Sequence, residues 1–397
     1  MRAVVIGGGV AGLAATWVLR RDGAHVTLFH AQAGASELGS GAADFEPWTL
    51  RRDVKGFGSS SSGASSRADD GELPSFLRAL GCFRAGPALV ATGSGVVRSA
   101  DWLDPALLDL SAHAGARIAV ADVERDDWDG PALARALEDS EWARRTKTSF
   151  FAVSLPLLAA GYERRIAPSD FAALHDEPAR LERLLRACAS VSADALVLGP
   201  WLGMEGDTSR RVRSASSLAV GEVTSPPGGV AGARFERARR RLLAELAVEA
   251  RDEMVLAVSR AESDGYEVSA ESGVSGPFDG VVLACGGLVG GGVGLVTSGE
   301  LGGAFRLSFD APVTLGFDAE AIEHASSVYG FEPTTASGAW IERVGILVDA
   351  RGRAAPGIFA AGDAVANQPR TVLGAAQSGM TAGKSAAAAH RLSPRNG

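Results

Sequence analysis

The first thirty residues constrain this chain more than any other stretch. MRAVVIGGGVAGLAATWVLRRDGAHVTLFH reads as strand, glycine-rich turn, helix, strand. Val4, Val5 and Ile6 form a short apolar run suited to a buried parallel strand. Gly7, Gly9 and Gly12 then give G-x-G-x-x-G. In such a turn the first glycine permits the tight bend and the second lets backbone N–H groups approach a pyrophosphate. The third lets the helix sit close to the strand with its positive end on the phosphates. Ala14, Ala15, Val18 and Leu19 continue at helical spacing, and Val26, Leu28 and Phe29 begin the second strand. Placed between strand and helix, the motif predicts a dinucleotide site contacted by Gly7, Gly9, Val10, Ala11 and Gly12. Roughly 20 residues further on, such folds carry Asp or Glu for the ribose hydroxyls. Here His30 stands in that place. Its imidazole can hydrogen-bond a hydroxyl, or it can simply end the strand.

At 397 residues the chain can bury a large core and is expected to hold two intimately connected domains. With 47 acidic and 39 basic residues the net charge is -8, which argues against a nucleic-acid binder. Cys82, Cys188 and Cys285 are scattered, so neither an iron–sulfur nor a zinc site of the usual spacing is expected. Sparse cysteine also suits a reducing compartment. The βαβ pattern starts at Met1, and the longest apolar run, from Val281 to Val296, is glycine-rich. The expectation is a cytoplasmic protein without a membrane span of its own.

Further along, the segment after the second strand is small and polar, and Gly56 to Glu72 reads as a flexible Ser/Gly-rich surface loop. PSFLRALGCF, PALARALEDSEWARR and PARLERLLRACASV look helical, GARIAVADV suits a strand, and ADALVLGPWLGM reads as strand then turn. VAGARFERARRRLLAELAVE is a helix crowded with Arg234, Arg237, Arg239, Arg240 and Arg241, read as a solvated face in preference to a phosphate site. MVLAVSRAESDGYEVSAESG is a hairpin turning at Ser263-Asp264-Gly265, FDGVVLACGG a buried strand, and the tail strand, turn, strand, loop, helix.

Three segments point to one cofactor: the N-terminal turn, Val281 to Gly287, and Gly357 to Ala364. Together they resemble the two-dinucleotide-domain flavoprotein superfamily. The resemblance implies an α/β fold: a Rossmann-like FAD-binding domain of the glutathione-reductase/fumarate-reductase type with an inserted α/β cap, or substrate, domain. The FAD-binding parts are then 1–50, 226–296 and 341–397. The Ser/Gly-rich loop is 51–72, the cap 73–225, and a further cap segment 297–340. It also implies that the Asp363 carboxylate, after Gly362, meets the ribityl chain, and that a helix starting at Leu373, Gly374 and Ala375 aims at the flavin. Its positive end would stabilise charge on reduced flavin. Ser36, Gly39, Ser40, Gly41, Val255, Ala284, Cys285 and Gly286 complete the candidate cofactor set, with Cys285 itself read as a small buried hydrophobe.

Matching pieces narrow the resemblance. SELGSGAADF, Arg98-Ser99 with Trp102-Leu103, SFFAVSLPLL, ADALVLGPWLGM and EVTSPPGGVAGARF look like the FMN-assigned subunit of anaerobic glycerol-3-phosphate dehydrogenase. His30 in place of an acid fits that family, whereas Gly362-Asp363 looks more like the general FAD pattern. The family oxidises sn-glycerol 3-phosphate to dihydroxyacetone phosphate and passes electrons to quinone. The matching subunit works with a second flavoprotein subunit and a cysteine-rich iron–sulfur subunit that attaches the complex to the membrane, so a peripheral position at the inner face through a partner is implied. It is usually described as holding FMN. FMN lacks a pyrophosphate, so FAD is expected here and FMN is the alternative. For the phosphorylated polyol, Arg98 and Arg370 are the candidate catalytic arginines, and His324 is the candidate base, with His30 beside it. Two other readings stay open: a non-catalytic electron-transfer flavosubunit, and a stand-alone FAD enzyme of the fumarate-reductase or ketosteroid-dehydrogenase type.

Overall fold

The computed structural model describes residues 1–31, 34–46, 71–298, 302–316 and 343–392. The chain divides into two compact units. Met1–Ser36, Phe45–Phe76 and Arg239–Gly397 form one, and Glu37–Asp44 with Leu77–Ala238 the other. The later boundary falls inside the helix Val230–Glu245, and residues 37–44 group with the second unit. Most of the Ser/Gly-rich loop, and residues 299–301 and 317–340 of the expected cap segment, lie outside the described residues.

The first unit is built on a six-stranded sheet. Its order is Glu249–Asp252, His25–His30, Arg2–Ile6, Gly280–Leu283, Ile358–Ala360 and Arg353–Ala355. The first five run parallel and the last antiparallel. Val4, Val5, Leu28, Val281, Val282, Ile358 and Ala360 are buried, as a sheet covered on both faces requires. The helices Val10–Arg21 and Val372–Leu392 pack closely: a Cβ on Gly379 would stand 2.1 Å from the carbonyl oxygen of Ala11. Antiparallel strands Val255–Arg260, Tyr266–Ala270 and Gly273–Phe278 form a second sheet. Gly265, at a φ of +110°, supplies the expected turn.

The second unit carries a four-stranded parallel sheet ordered Ser149–Ser154, Arg117–Asp122, Ala195–Leu198, Ala219–Glu222. The chain steps outward from Arg117–Asp122 and then returns to its other side, which makes a topological switch point between the two central strands. Strands Ala42–Ala43, Val97–Leu103 and Arg84–Ala91 form a separate antiparallel sheet. The helix expected over PALARALEDSEWARR is two helices, Gly130–Glu138 and Glu141–Thr146. Ser140 is extended, and its hydroxyl caps the second helix by accepting the Ala143 N–H at 3.2 Å.

Candidate functional site

The N-terminal turn is shaped by steric limits at two glycines. Gly7 has a φ of +117°, and a Cβ there would meet the Ala284 carbonyl oxygen at 2.0 Å. A Cβ on Gly12 would meet the Gly7 carbonyl oxygen at 1.9 Å. Backbone bonds lock the turn to its neighbours: Gly7 N–H donates to Phe29 at 2.8 Å, and Ala284 N–H to Ile6 at 2.8 Å. The helix then starts at Val10, with no acidic residue in its first turn and no side-chain cap from Gly9. The Ser36 hydroxyl accepts the Val10 N–H at 3.0 Å. The next two N–H groups, of Ala11 and Gly12, have no hydrogen-bond partner among the described residues. Open N–H groups at a helix start are the kind of donors that can take an anion.

Two further segments adjoin this end. Ala361 N–H donates to Leu283 at 2.9 Å, so the last parallel strand delivers Gly362 and Asp363 beside the turn. A Cβ on Gly362 would lie 2.7 Å from the Ala11 Cβ, and one on Gly287 would lie 2.5 Å from the Asp363 carbonyl oxygen. Burial pushes the Asp363 carboxyl above its ordinary value, opposed by the charge of Arg370. That carboxylate accepts no hydrogen bond from a described residue. Burial pushes the Cys285 thiol up to about 12, so it is not a reactive thiolate. The Ala11 and Gly12 N–H groups match a pyrophosphate, and the Asp363 carboxylate, with no hydrogen bond from a described residue, matches a hydroxyl-bearing chain.

Several expected contacts need correction. At the start of the helix Val372–Leu392, the Thr371 hydroxyl accepts the Gly374 N–H at 3.2 Å and its carbonyl accepts the Ala375 N–H at 2.9 Å. Those two N–H groups are therefore engaged within the chain, while those of Val372 and Leu373 have no partner among the described residues. Arg370 donates to the carbonyls of Asp363, Val365 and Val344, so it clamps the loop instead of serving as a phosphate ligand. Arg98 is in the second unit, in a buried ion pair with Asp44 at 2.7 Å. Val255 packs in the core with Val4, Ile6 and Phe29. Gly39, Ser40 and Gly41 group with the second unit. There the Ser40 carbonyl accepts the Ser225 N–H at 3.0 Å and that of Gly41 the Asp104 N–H at 2.6 Å. His324 lies outside the described residues. His30 ends its strand with Nδ1 3.6 Å from Asp252, a carboxylate on the neighbouring strand that no sequence motif singles out.

The arginine-rich helix is not a uniformly solvated face. Arg237, Arg240 and Arg241 are exposed, but Arg234 and Arg239 are buried. Arg239 lies four residues after Phe235 and three before Leu242, both buried, and this apolar spacing was the available signal. In the second unit Arg234 donates to both oxygens of Glu222 at 2.8 Å, to Asp104 at 3.1 Å and to the Gly203 carbonyl. Burial raises Glu222, and the arginine opposes that shift. His175, also buried, meets the Trp201 carbonyl through Nδ1 at 2.7 Å, and burial pushes it down to about 4. These groups fasten the 199–204 loop.

Among the described residues no cluster of His, Cys, Asp or Glu could hold a metal ion, and no helix is long and apolar enough to cross a membrane.

Residues 5–45 match the family model of the NAD(P)-binding Rossmann-like domain. No curated protein sequence matches the chain. Solved structures similar to it include AlpK, at 13% identity and a TM-score of 0.34, covering 98% of this chain and 62% of AlpK. Iminodiacetate oxidase (IdaA) from Chelativorans sp. BNC1 has 15% identity and a TM-score of 0.31, with 98% and 95% covered. CtdE, solved in complex with FAD, has 11% identity and a TM-score of 0.33, with 98% and 88% covered. The chain thus spans less than two thirds of the length of AlpK. By its parallel strand order, its glycine turn and the match over residues 5–45, the N-terminal segment is a Rossmann-like nucleotide-binding fold.

Proposed function

We propose that the chain is an FAD-dependent oxidoreductase similar to the FMN-assigned subunit of anaerobic glycerol-3-phosphate dehydrogenase. It takes part in oxidising sn-glycerol 3-phosphate to dihydroxyacetone phosphate, with electrons passed to a quinone. One observation carries the cofactor: Gly362, packed against Ala11, brings the loop that carries Asp363 to the turn whose Ala11 and Gly12 N–H groups have no partner among the described residues, and the Asp363 carboxylate accepts no hydrogen bond from a described residue. A ligand that satisfies both has a pyrophosphate and a polyhydroxyl chain, which supports FAD over FMN and over a nicotinamide nucleotide. When bound, FAD supplies a two-electron acceptor for an alcohol carbon. The chain's own residues hold and orient it. Ala11 and Gly12 bind the anion, Ser36 fixes the Val10 end of the turn, and Arg370 holds the 363–365 loop so that Asp363 keeps its place. The Val372 and Leu373 N–H groups supply positive potential at a second helix end.

The engagement of Arg98 with Asp44, and of Arg370 with three carbonyls, favours the electron-transfer form of this reading. In that form a second flavoprotein subunit oxidises the phosphorylated polyol, and an iron–sulfur subunit holds the assembly at the inner face of the membrane. Anaerobic titration of the purified chain with sn-glycerol 3-phosphate, following flavin absorbance, separates the two. Bleaching in the chain alone supports direct catalysis. Bleaching only after the partner flavoprotein is added supports electron transfer. No bleaching in either mixture overturns the glycerol-3-phosphate reading.

A further inference from the structure

Two arginines of the second unit meet at one backbone oxygen. Residues Asp104 to Leu107 form a tight turn, closed by the Leu107 N–H donating to the Asp104 carbonyl at 3.0 Å. Arg213, on the helix Gly206–Ala215, donates through Nη2 to the carbonyls of Pro105 and Leu107 and through Nε to that of Val220. Arg84, the first residue of the strand Arg84–Ala91, sends its own Nη2 to the same Leu107 carbonyl, at a long 3.4 Å. That is its one hydrogen bond among the described residues, and its Nε is buried without a partner. Neither arginine forms an ion pair with a described residue. The carboxylates whose charge reaches Arg213 are Asp104 and Glu222, and both pair with Arg234. Three guanidiniums thus share two carboxylates. Burial and the charge of Arg84 hold Arg213 below its ordinary value, opposed by those two carboxylates.

We propose that Arg84 and Arg213 form a binding site for a phosphate-type oxyanion, either inorganic phosphate or a phosphomonoester. A carbonyl oxygen carries only a partial charge, so the Leu107 carbonyl does not offset two cations that meet on it. A dianion does, and two planar forks suit its oxygens. Nη1 of each arginine donates to no described residue and is not among the enclosed unpartnered atoms, so both stay within reach of a solute. Arg213 is fixed by three carbonyls and gives the site its geometry. Arg84, held by one weak bond, supplies the second charge. The free chain keeps two like charges together at a cost that a bound anion removes. The inference stands without the flavin or the glycerol-3-phosphate reading; the latter would make the occupant the phosphate of the polyol.

The test is calorimetric titration of the full chain with inorganic phosphate, joined to chemical denaturation in chloride and in phosphate at equal ionic strength. Wild type is expected to bind phosphate and to show a saturable rise of its unfolding midpoint, unlike the general effect of phosphate as a salt. Arg84→Met keeps an apolar stem and removes the charge. It is expected to weaken phosphate about tenfold or more, the loss of a charge-assisted bond. In phosphate-free buffer the same variant should unfold at the wild-type denaturant concentration or higher, because like charges have been separated; an arginine with a purely structural role would show a loss there. Arg210→Gln, which removes an exposed cation from the same helix, binds phosphate like wild type. No saturable response in wild type, or an Arg84→Met variant that binds phosphate like wild type, overturns the proposal. If Arg84→Met does not fold, the wild-type titration decides alone. Binding of sn-glycerol 3-phosphate about tenfold or more tighter than phosphate identifies a phosphorylated polyol as the occupant, and equal binding identifies phosphate itself. In the second case this inference stands and the glycerol-3-phosphate reading gains nothing from it. Flavin bleaching by sn-glycerol 3-phosphate in a chain that does not bind phosphate does the reverse.

Discussion

After Ile6 the chain runs Gly7-Gly8-Gly9, and after Leu198 it runs Gly199-Pro200-Trp201-Leu202-Gly203. Both stretches are glycine-containing loops at the carboxyl ends of buried parallel strands, in two different units. In the second, a Cβ on Gly199 would strike the Trp201 ring at 2.4 Å, and one on Gly203 would strike Asp176 at 2.3 Å. Those glycines make room for the unit's own side chains, and Trp128, Phe171 and His175 pack around Trp201 or one another. In the first, Gly7 and Gly12 make room for backbone, and the N–H groups beyond them have no partner among the described residues. A glycine loop thus marks a ligand site when its space is left to something outside the chain.

If this contrast is right, substitutions in the second unit act on stability and those around the turn act on the bound nucleotide. The largest effect is expected at Arg234. Arg234→Met leaves Glu222 and Asp104 buried without their cation and should lower unfolding stability by about 3–5 kcal/mol in denaturant titrations. A loss under about 1 kcal/mol would mean that the network does not hold the loop.

Next comes the acid dependence of His175. Its folded value of about 4 lies below the ordinary 6.5, so between these pH values the unfolded chain binds a proton that the folded chain does not. Stability from this group is present above about pH 6.5 and falls as the pH drops toward 4, by about 3 kcal/mol in all. In His175→Phe, chemical denaturation across pH 4–7 should lose that slope.

At the turn, Gly12→Ala places a Cβ 1.9 Å from the Gly7 carbonyl oxygen. It should cost about 1–3 kcal/mol and abolish flavin retention on gel filtration. Stable protein that keeps its flavin would break the contrast from the other side. The smallest effect is expected at Asp363. Its carboxyl is raised by burial, so ionisation disfavours the folded chain, and stability from this group falls as pH rises above the ordinary carboxylate range. Asp363→Asn should therefore leave the flavin-free protein as stable as wild type or slightly more so at pH 7, while weakening flavin binding by a measurable factor in fluorescence titration.

The sequence made the turn legible because its signal is local. Three glycines, a strand before and a helix after fall within one short stretch, and their spacing carries the steric requirement. The two later strands were legible for the same reason, as apolar runs that end in glycine. What escaped was the fate of each charged group. Arg98 and Arg370 sit at motif positions, but nothing in the sequence shows that Asp44 and three backbone carbonyls take up their guanidinium groups. Arg234 meets Asp104 across a long chain separation, and His175 meets Trp201 across an intervening helix and strand. Arg239 was hidden among exposed arginines, although its spacing from Phe235 and Leu242 put it on the buried face.

The central claim is that the glycine turn and Asp363 together hold FAD. Acid release of the cofactor from purified protein, followed by chromatography and quantitation, tests it most directly. One FAD per chain is expected in wild type and none in Gly12→Ala. Release of FMN, or no flavin after reconstitution with FAD, would contradict it.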